Sequence, residues 1–245
     1  MRRSSIALAP VLVLAVPLAL PLAGLAGCSQ KAPAPEVVAT GAPAAAAATA
    51  PVPADAPVIL AFGDSLYAGY QLPPTDSYPA KLEGALNAEG VKARVVNAGV
   101  SGDTTAAARQ RLAFTLDNQP VKPTLALVGL GGNDMLRGLP PAETRANLDA
   151  ILAEFQKRKI PVMLTGMLAA PNLGADYVKA FNPIWPSLAR KYDAPLVPFF
   201  LAPVLGQDKL LLEDHVHPNT QGVERIVAAT KDEVAKALKA AEARK

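Results

Sequence analysis

The chain holds two histidines, and both stand in one short run, Glu213-Asp214-His215-Val216-His217-Pro218. An imidazole titrates near neutral pH, so it can take a proton from a hydroxyl and pass it on, provided a carboxylate fixes its tautomer. Asp214 and His217 are three residues apart and can meet within one turn of chain. Pro218 then ends the loop and starts a helix. The rival use of these residues is a metal site built from His215, His217 and Asp214. It needs further ligands, and the only cysteine of the chain, Cys28, lies far upstream. No metal is expected, and His215 is given no role.

An acid–base pair needs a nucleophile and a place for developing charge. Gly63-Asp64-Ser65-Leu66 follows directly on the apolar run Val58–Phe62, which places a serine hydroxyl at the end of a buried strand. The same tripeptide is also a common turn and helix cap. Further on, Asn97-Ala98-Gly99-Val100-Ser101-Gly102-Asp103-Thr104 is a small-residue loop opening a helix. There the Gly102 N–H can point at an anion, while Asp103 or Ser101 caps the helix. A third loop, Gly129-Leu130-Gly131-Gly132-Asn133-Asp134, brings the Asn133 amide. That neutral donor stabilises a developing oxyanion without pairing to the resting substrate. A plain turn with Asn133 in a left-handed conformation is the local alternative.

These loops need a frame. Apolar runs at Val58–Phe62, Arg94–Ala98, Thr124–Leu130, Val162–Met167 and Leu196–Phe199 read as strands. They alternate with helical patterns at Ser77–Ala88, Thr104–Leu116, Ala142–Lys157 and Asp176–Tyr192, and with a terminal amphipathic helix from Pro218 to about Lys239. Such alternation implies a parallel sheet between helical layers, with the active site where loops leave the carboxyl ends of the strands.

With those blocks in place, the chain resembles the SGNH (GDSL) hydrolase family, nearest its bacterial thioesterase, lysophospholipase and arylesterase branch, over residues 57–240. The likeness is carried by Gly63-Asp64-Ser65-Leu66, by Gly102 in Ser-Gly-Asp-Thr, by Gly131-Gly132-Asn133-Asp134 and by Asp214-x-x-His217-Pro218. The resemblance implies an α/β fold, a three-layer α/β/α sandwich of the flavodoxin-like kind with a five-stranded parallel sheet and no cofactor. It also implies Ser65 as nucleophile, His217 as base, Asp214 as its partner, and the Ser65 N–H, Gly102 N–H and Asn133 amide as the oxyanion hole. His215 departs from the pattern, standing where close relatives often carry glycine. The segment Met135–Pro140 resembles a mobile substrate loop, whose apolar side chains either cover an acyl tail or pack on the next helix. With no long insertion to form a lid, the cleft is expected to be open, suited to short or medium acyl chains.

The remainder of the chain addresses location. Arg2 and Arg3, a proline-broken apolar stretch from Ile6 to Leu22, and small residues before Cys28 read as an export signal over residues 1–27. Three prolines in so short a run argue against a membrane-spanning helix. Leu25-Ala26-Gly27-Cys28 resembles the lipobox of bacterial lipoproteins, implying cleavage before Cys28 and lipidation of its sulfur. An ordinary secretory signal is the alternative. Residues 28–57 are Ala/Pro-rich and read as a disordered tether, leaving a hydrolase domain at 58–245. The formal charge of +3 owes much to residues 1–27, without which 22 basic face 21 acidic residues. A near-neutral body offers no cationic face for nucleic acid. The sequence thus predicts a monomeric esterase acting on small-molecule or lipid esters, anchored through Cys28 at the outer membrane and facing the periplasm. A carbohydrate O-deacetylase of the same fold, a catalytically silent surface-binding lipoprotein and a flavin-binding protein are the competing readings. For the last, the first loop lacks a phosphate-cradling run.

Overall fold

The computed structural model describes residue 53 and residues 55–244. The export segment, Cys28 and nearly all of the tether lie outside the described residues. The first strand, β1 (Val58–Gly63), is buried along its whole length. Continuous apolar sequence is what a strand covered on both faces requires. It pairs in parallel with β2 (Arg94–Gly99) on one side and β3 (Leu125–Gly129) on the other. The strands β4 (Val162–Thr165) and β5 (Leu196–Val197) extend the sheet, giving the order β2-β1-β3-β4-β5. That order has its topological switch between β1 and β3, where chain leaving the two strands turns to opposite faces and opens a crevice.

Alternation along β1 supplies both cores. Leu60 and Phe62 face α3 (Thr105–Asp117), α5 (Pro141–Lys157), α6 (Ala175–Phe181) and α7 (Ile184–Tyr192), meeting Leu112, Leu152, Phe155 and Trp185 in one cluster. Ile59 and Ala61 face α2 (Tyr78–Ala88) and α8 (Thr220–Glu242), meeting Leu82, Leu86, Ile226 and Leu238. Each such large apolar side chain contributes about 1.5–3 kcal/mol on burial. The α8 residues Val223, Ile226, Val227, Val234, Leu238 and Ala241 are all buried, the spacing of one helical stripe. Its cap is the Asn219 side chain, which accepts from the Gly222 N–H at 3.0 Å.

The five expected strands and the layered fold are present, with three local corrections. The helical pattern Asp176–Tyr192 is two helices, because Pro183 has no N–H to bond back into α6 and is tolerated only at the start of a helix, where it precedes α7. Asn182 uses the break, its side-chain oxygen accepting from the Ala169 N–H at 2.8 Å. The fifth strand stops at Val197 rather than Phe199: the Gly166 carbonyl, the next acceptor along the neighbouring chain, takes the Phe200 N–H at 2.9 Å instead of that of Phe199, so the register breaks there. Neither Ser101 nor Asp103 caps α3: Thr104 does, its hydroxyl oxygen accepting from the Ala107 N–H at 3.3 Å. Finally, two short helices stand at the strand ends: α1 (Ser65–Ala68), where the tripeptide read as a turn or helix cap does cap a helix, and α4 (Gly132–Leu136), where a plain turn was the local alternative.

Candidate active site

The carboxyl end of β1 runs straight into α1, and Asp64 is the residue between them. Its side chain accepts from the Leu66 N–H at 3.0 Å, which starts the helix with Ser65 at its first position. The helix is held from below by Tyr67, fully buried, whose hydroxyl shares a 2.9 Å hydrogen bond with the Thr165 hydroxyl on β4. Ser65 is therefore presented on a pinned turn rather than on a loose loop.

The Ser65 hydroxyl lies 2.8 Å from Nε2 of His217. On the other side of that ring, Nδ1 lies 2.6 Å from Oδ2 of Asp214. The second carboxylate oxygen of Asp214 accepts from the backbone N–H groups of Val216 and His217, both at 2.9 Å. Burial pushes this carboxyl up, but the two backbone donors and the imidazole outweigh it and hold Asp214 down at about 2. A carboxylate ionised at every working pH fixes Nδ1 as the protonated nitrogen and leaves Nε2 free to accept from Ser65.

The histidines diverge. His215 faces Asp208 at 3.3 Å and takes φ +55, while His217 joins Ser65. The left-handed backbone at residue 215 is the conformation that glycine adopts freely and that a histidine takes at a cost. The loop closes in spite of the histidine: the Leu212 N–H donates to the His217 carbonyl at 2.7 Å and the His215 N–H to the Leu212 carbonyl at 3.0 Å.

Gly102 and Asn133 come together at the switch crevice. The Asn133 amide donates to the Asp103 carbonyl at 3.0 Å, next door to Gly102, and retains a second N–H. Gly102 takes φ +84, so its N–H direction depends on a conformation that costs a side-chain-bearing residue energy. Arg137, just past the end of α4, ties the same loop, donating to the Gly102 carbonyl at 2.8 Å.

Two supports have roles that the sequence does not assign, although Asp134 stands inside the Gly131-Gly132-Asn133-Asp134 block. Arg111, on α3, pairs through Nε with Asp103 at 2.6 Å and donates to the Gly63 carbonyl at 3.0 Å, its guanidinium lying 4.3 Å from the centre of the Phe62 ring. It thereby joins the loop bearing Gly102 to the end of β1, two residues before Ser65. Asp134, buried, accepts from the Thr105 N–H at 2.8 Å, the Thr105 hydroxyl at 2.5 Å and the Thr144 hydroxyl at 3.2 Å. It joins α3, α4 and α5 at one point. The expected substrate loop divides between its two readings. Met135 packs on the core, its sulfur accepting from the Ala170 N–H at 3.2 Å, whereas Leu136 is 60% exposed.

Asp64 is the electrostatic outlier. Burial pushes its carboxyl up against the lowering effect of the Leu66 N–H, and the neighbouring Asp103 and Asp134 carboxylates raise it further, to about 7. In the unfolded chain an aspartate titrates near 3.9. Between the two values the folded protein keeps a proton that the unfolded chain has lost, so stability falls as pH rises from about 4 to about 7. Asp64→Asn retains the oxygen that accepts from Leu66 and removes the ionisable group. The variant is expected to match the native protein near pH 4 and to be more stable above pH 7.5 by on the order of 2–4 kcal/mol. Thermal unfolding at the two pH values checks this. A stability difference that does not change with pH would remove the buried carboxyl as its source.

The sequence profile described as the GDSL-like lipase/acylhydrolase family matches residues 61–225. An arylesterase of Vibrio mimicus is 36% identical over 180 residues, which span 74% of this chain and 89% of that protein. A thioesterase 1/protease 1/lysophospholipase L1 of Escherichia coli is 37% identical over 166 residues, spanning 68% and 77% respectively. Among solved structures, AlinE4, an SGNH-hydrolase family esterase, superposes with a TM-score of 0.64 at 62% identity, covering 75% of this chain and 97% of that one.

Proposed function

The chain belongs to the GDSL-like lipase/acylhydrolase family and is a carboxylic ester hydrolase, and on that premise we propose that it cleaves short-to-medium acyl esters, aryl esters, thioesters and lysophospholipids through an acyl-enzyme on Ser65. The observation that carries this reading is the unbroken chain of hydrogen bonds from the Ser65 hydroxyl through His217 to Asp214, 2.8 and 2.6 Å long.

The Ser65 oxygen attacks the substrate carbonyl carbon as its proton passes to Nε2 of His217. The carbonyl oxygen, now negative, is stabilised by the Ser65 and Gly102 N–H groups and by the free N–H of Asn133. Collapse of the tetrahedral species breaks the bond to the leaving group, which takes the proton from Nε2 and departs as an alcohol or thiol. Water then attacks the acyl-serine ester with His217 again accepting a proton, and the acid leaves as Ser65 regains its hydrogen. No step calls on a cofactor.

The breadth of the substrate class rests on the relatives' names and on the short connection from α4 to α5, where Arg137 and Gly138 are exposed beside Leu136, the last residue of α4. An acyl-length series on p-nitrophenyl esters, matched acyl thioesters and a lysophospholipid tests it. Turnover is expected on all three leaving-group types, highest at short to medium chain length. Activity confined to acetylated sugars would replace this reading by the O-deacetylase. The export signal and the anchor at Cys28 remain a proposal from the sequence, and they would hold this chemistry at a lipid surface.

A further inference from the structure

Tyr70 lies five residues past Ser65, in a stretch that no motif marks. Its ring centroid is 4.4 Å from that of His217, with the two planes inclined by 36°. Its backbone N–H donates to the carbonyl oxygen of Ser65 at 3.2 Å. The turn that achieves both is built by Gly69, which ends α1 at φ +80 and approaches Ser77 so closely that a Cβ there would sit 2.8 Å from the Ser77 Cβ. The Leu72 N–H then donates to the Gly69 carbonyl at 3.0 Å and closes the turn. One turn of chain thus begins at the nucleophile, bonds back to it, and lays an aromatic face on the base.

We infer that Tyr70 is a positioning residue for the esterase reaction: its ring face holds the His217 imidazole with Nε2 on Ser65 and stabilises the imidazolium that forms when the serine proton is transferred. The inference rests on the ester-hydrolase reading of Ser65, His217 and Asp214. An aromatic face carries negative quadrupole density, so it attracts a cation more than a neutral ring. His217 is neutral before the attack and positive in the transition state, so the attraction is differential and lowers the barrier. The imidazole hydrogen-bonds to the Asp214 carboxylate at Nδ1 and to the Ser65 hydroxyl at Nε2. Of the charged groups on the flanking segments, Asp208 faces His215 at 3.3 Å, Asp76 pairs with Lys81 at 3.1 Å and Glu213 is exposed. Asp64, next to Ser65 and raised to about 7, is common to the native chain and to both variants below and so adds nothing to a difference between them. Tyr70 supplies the aromatic face among the described residues.

Tyr70→Phe and Tyr70→Leu in the full chain separate the ring from mere bulk. Tyr70 is 37% exposed, so neither substitution opens the core. On a p-nitrophenyl ester, the Phe variant is expected to keep kcat within about twofold, and the Leu variant to lose about 3- to 10-fold in kcat with KM within about twofold. In the Leu variant the imidazolium loses support, so the base stays unprotonated to lower pH. The acid limb of kcat/KM then moves down by roughly half a pH unit. A side chain that only filled space would lower kcat without that displacement. A Leu variant with native kcat and an unmoved acid limb overturns the inference, as does a Phe variant as impaired as the Leu one. A folded native chain inactive on every ester would instead sink the hydrolase reading beneath it.

Discussion

Ser65→Ala is expected to lower ester turnover by about 10⁴–10⁶-fold while leaving the fold intact. The side chain of Ser65 makes one hydrogen bond, to His217, and the short helix it opens is started by Asp64 and anchored by Tyr67. Removing the hydroxyl therefore takes away the nucleophile without disturbing a support. What remains is the hydrolysis that oxyanion donors and a general base promote by activating water, which lacks the proximity of a bound nucleophile. Steady-state rates on a p-nitrophenyl ester, with thermal unfolding of the same preparation, check both halves. Labelling by a serine-directed fluorophosphonate gives an independent test, with the native chain modified and the variant not. Turnover above about one hundredth of the native rate, or undiminished labelling, would place the nucleophile elsewhere.

Asn133→Ala should cost about 10²–10³-fold in kcat, or about 2.7–4 kcal/mol of barrier, with little change in KM. The argument turns on charge that exists only at the tetrahedral stage. A neutral amide interacts weakly with the ester carbonyl of the bound substrate and strongly with the oxyanion, so its loss falls on the chemical step. Asn133 also donates to the Asp103 carbonyl at 3.0 Å, and the variant forfeits that tie. A lost neutral hydrogen bond is worth about 0.5–1.5 kcal/mol of stability, a cost that thermal unfolding measures separately. The loop keeps its other holds, Arg111 on the Asp103 carboxylate and Arg137 on the Gly102 carbonyl. A kcat unchanged by the substitution would remove Asn133 from the oxyanion hole; a large fall in stability with a small fall in kcat would make it a structural residue.

Which features were legible in the sequence follows from how far each depends on distant chain. The strands at Val58 and Val162 show as short apolar runs because burial on both faces demands it locally. The pairing of Asp214 with His217 shows because three residues of chain can close on themselves. Asn133 and Gly102 show as donors because glycine-rich loops after strands are where backbone and amide N–H groups stand free. Less came through where a local pattern has two readings. The Asp176–Tyr192 pattern concealed the break at Pro183, and the apolar run past Leu196 outlasted a ladder that ends at Val197, where the Gly166 carbonyl takes the Phe200 N–H. Met135 and Leu136, adjacent in sequence, take opposite fates, one on the core and one in solvent.

The sequence by itself determined the kinds of group available: one hydroxyl after a buried strand, one imidazole with a carboxylate three residues before it, and neutral donors between. Tertiary structure alone decided that Ser65 and His217, 152 residues apart, lie 2.8 Å from each other. It alone decided that Arg111 joins Asp103 to Gly63, that Asp64 is raised by burial beside two other acids, and that Tyr70 faces the base. The reason is that hydrogen-bond capacity and hydrophobicity belong to each residue and can be read one at a time. Distance between loops and desolvation belong to the packed assembly, and they exist only once the strand order has brought the carboxyl ends of β1, β2 and β3 to one edge.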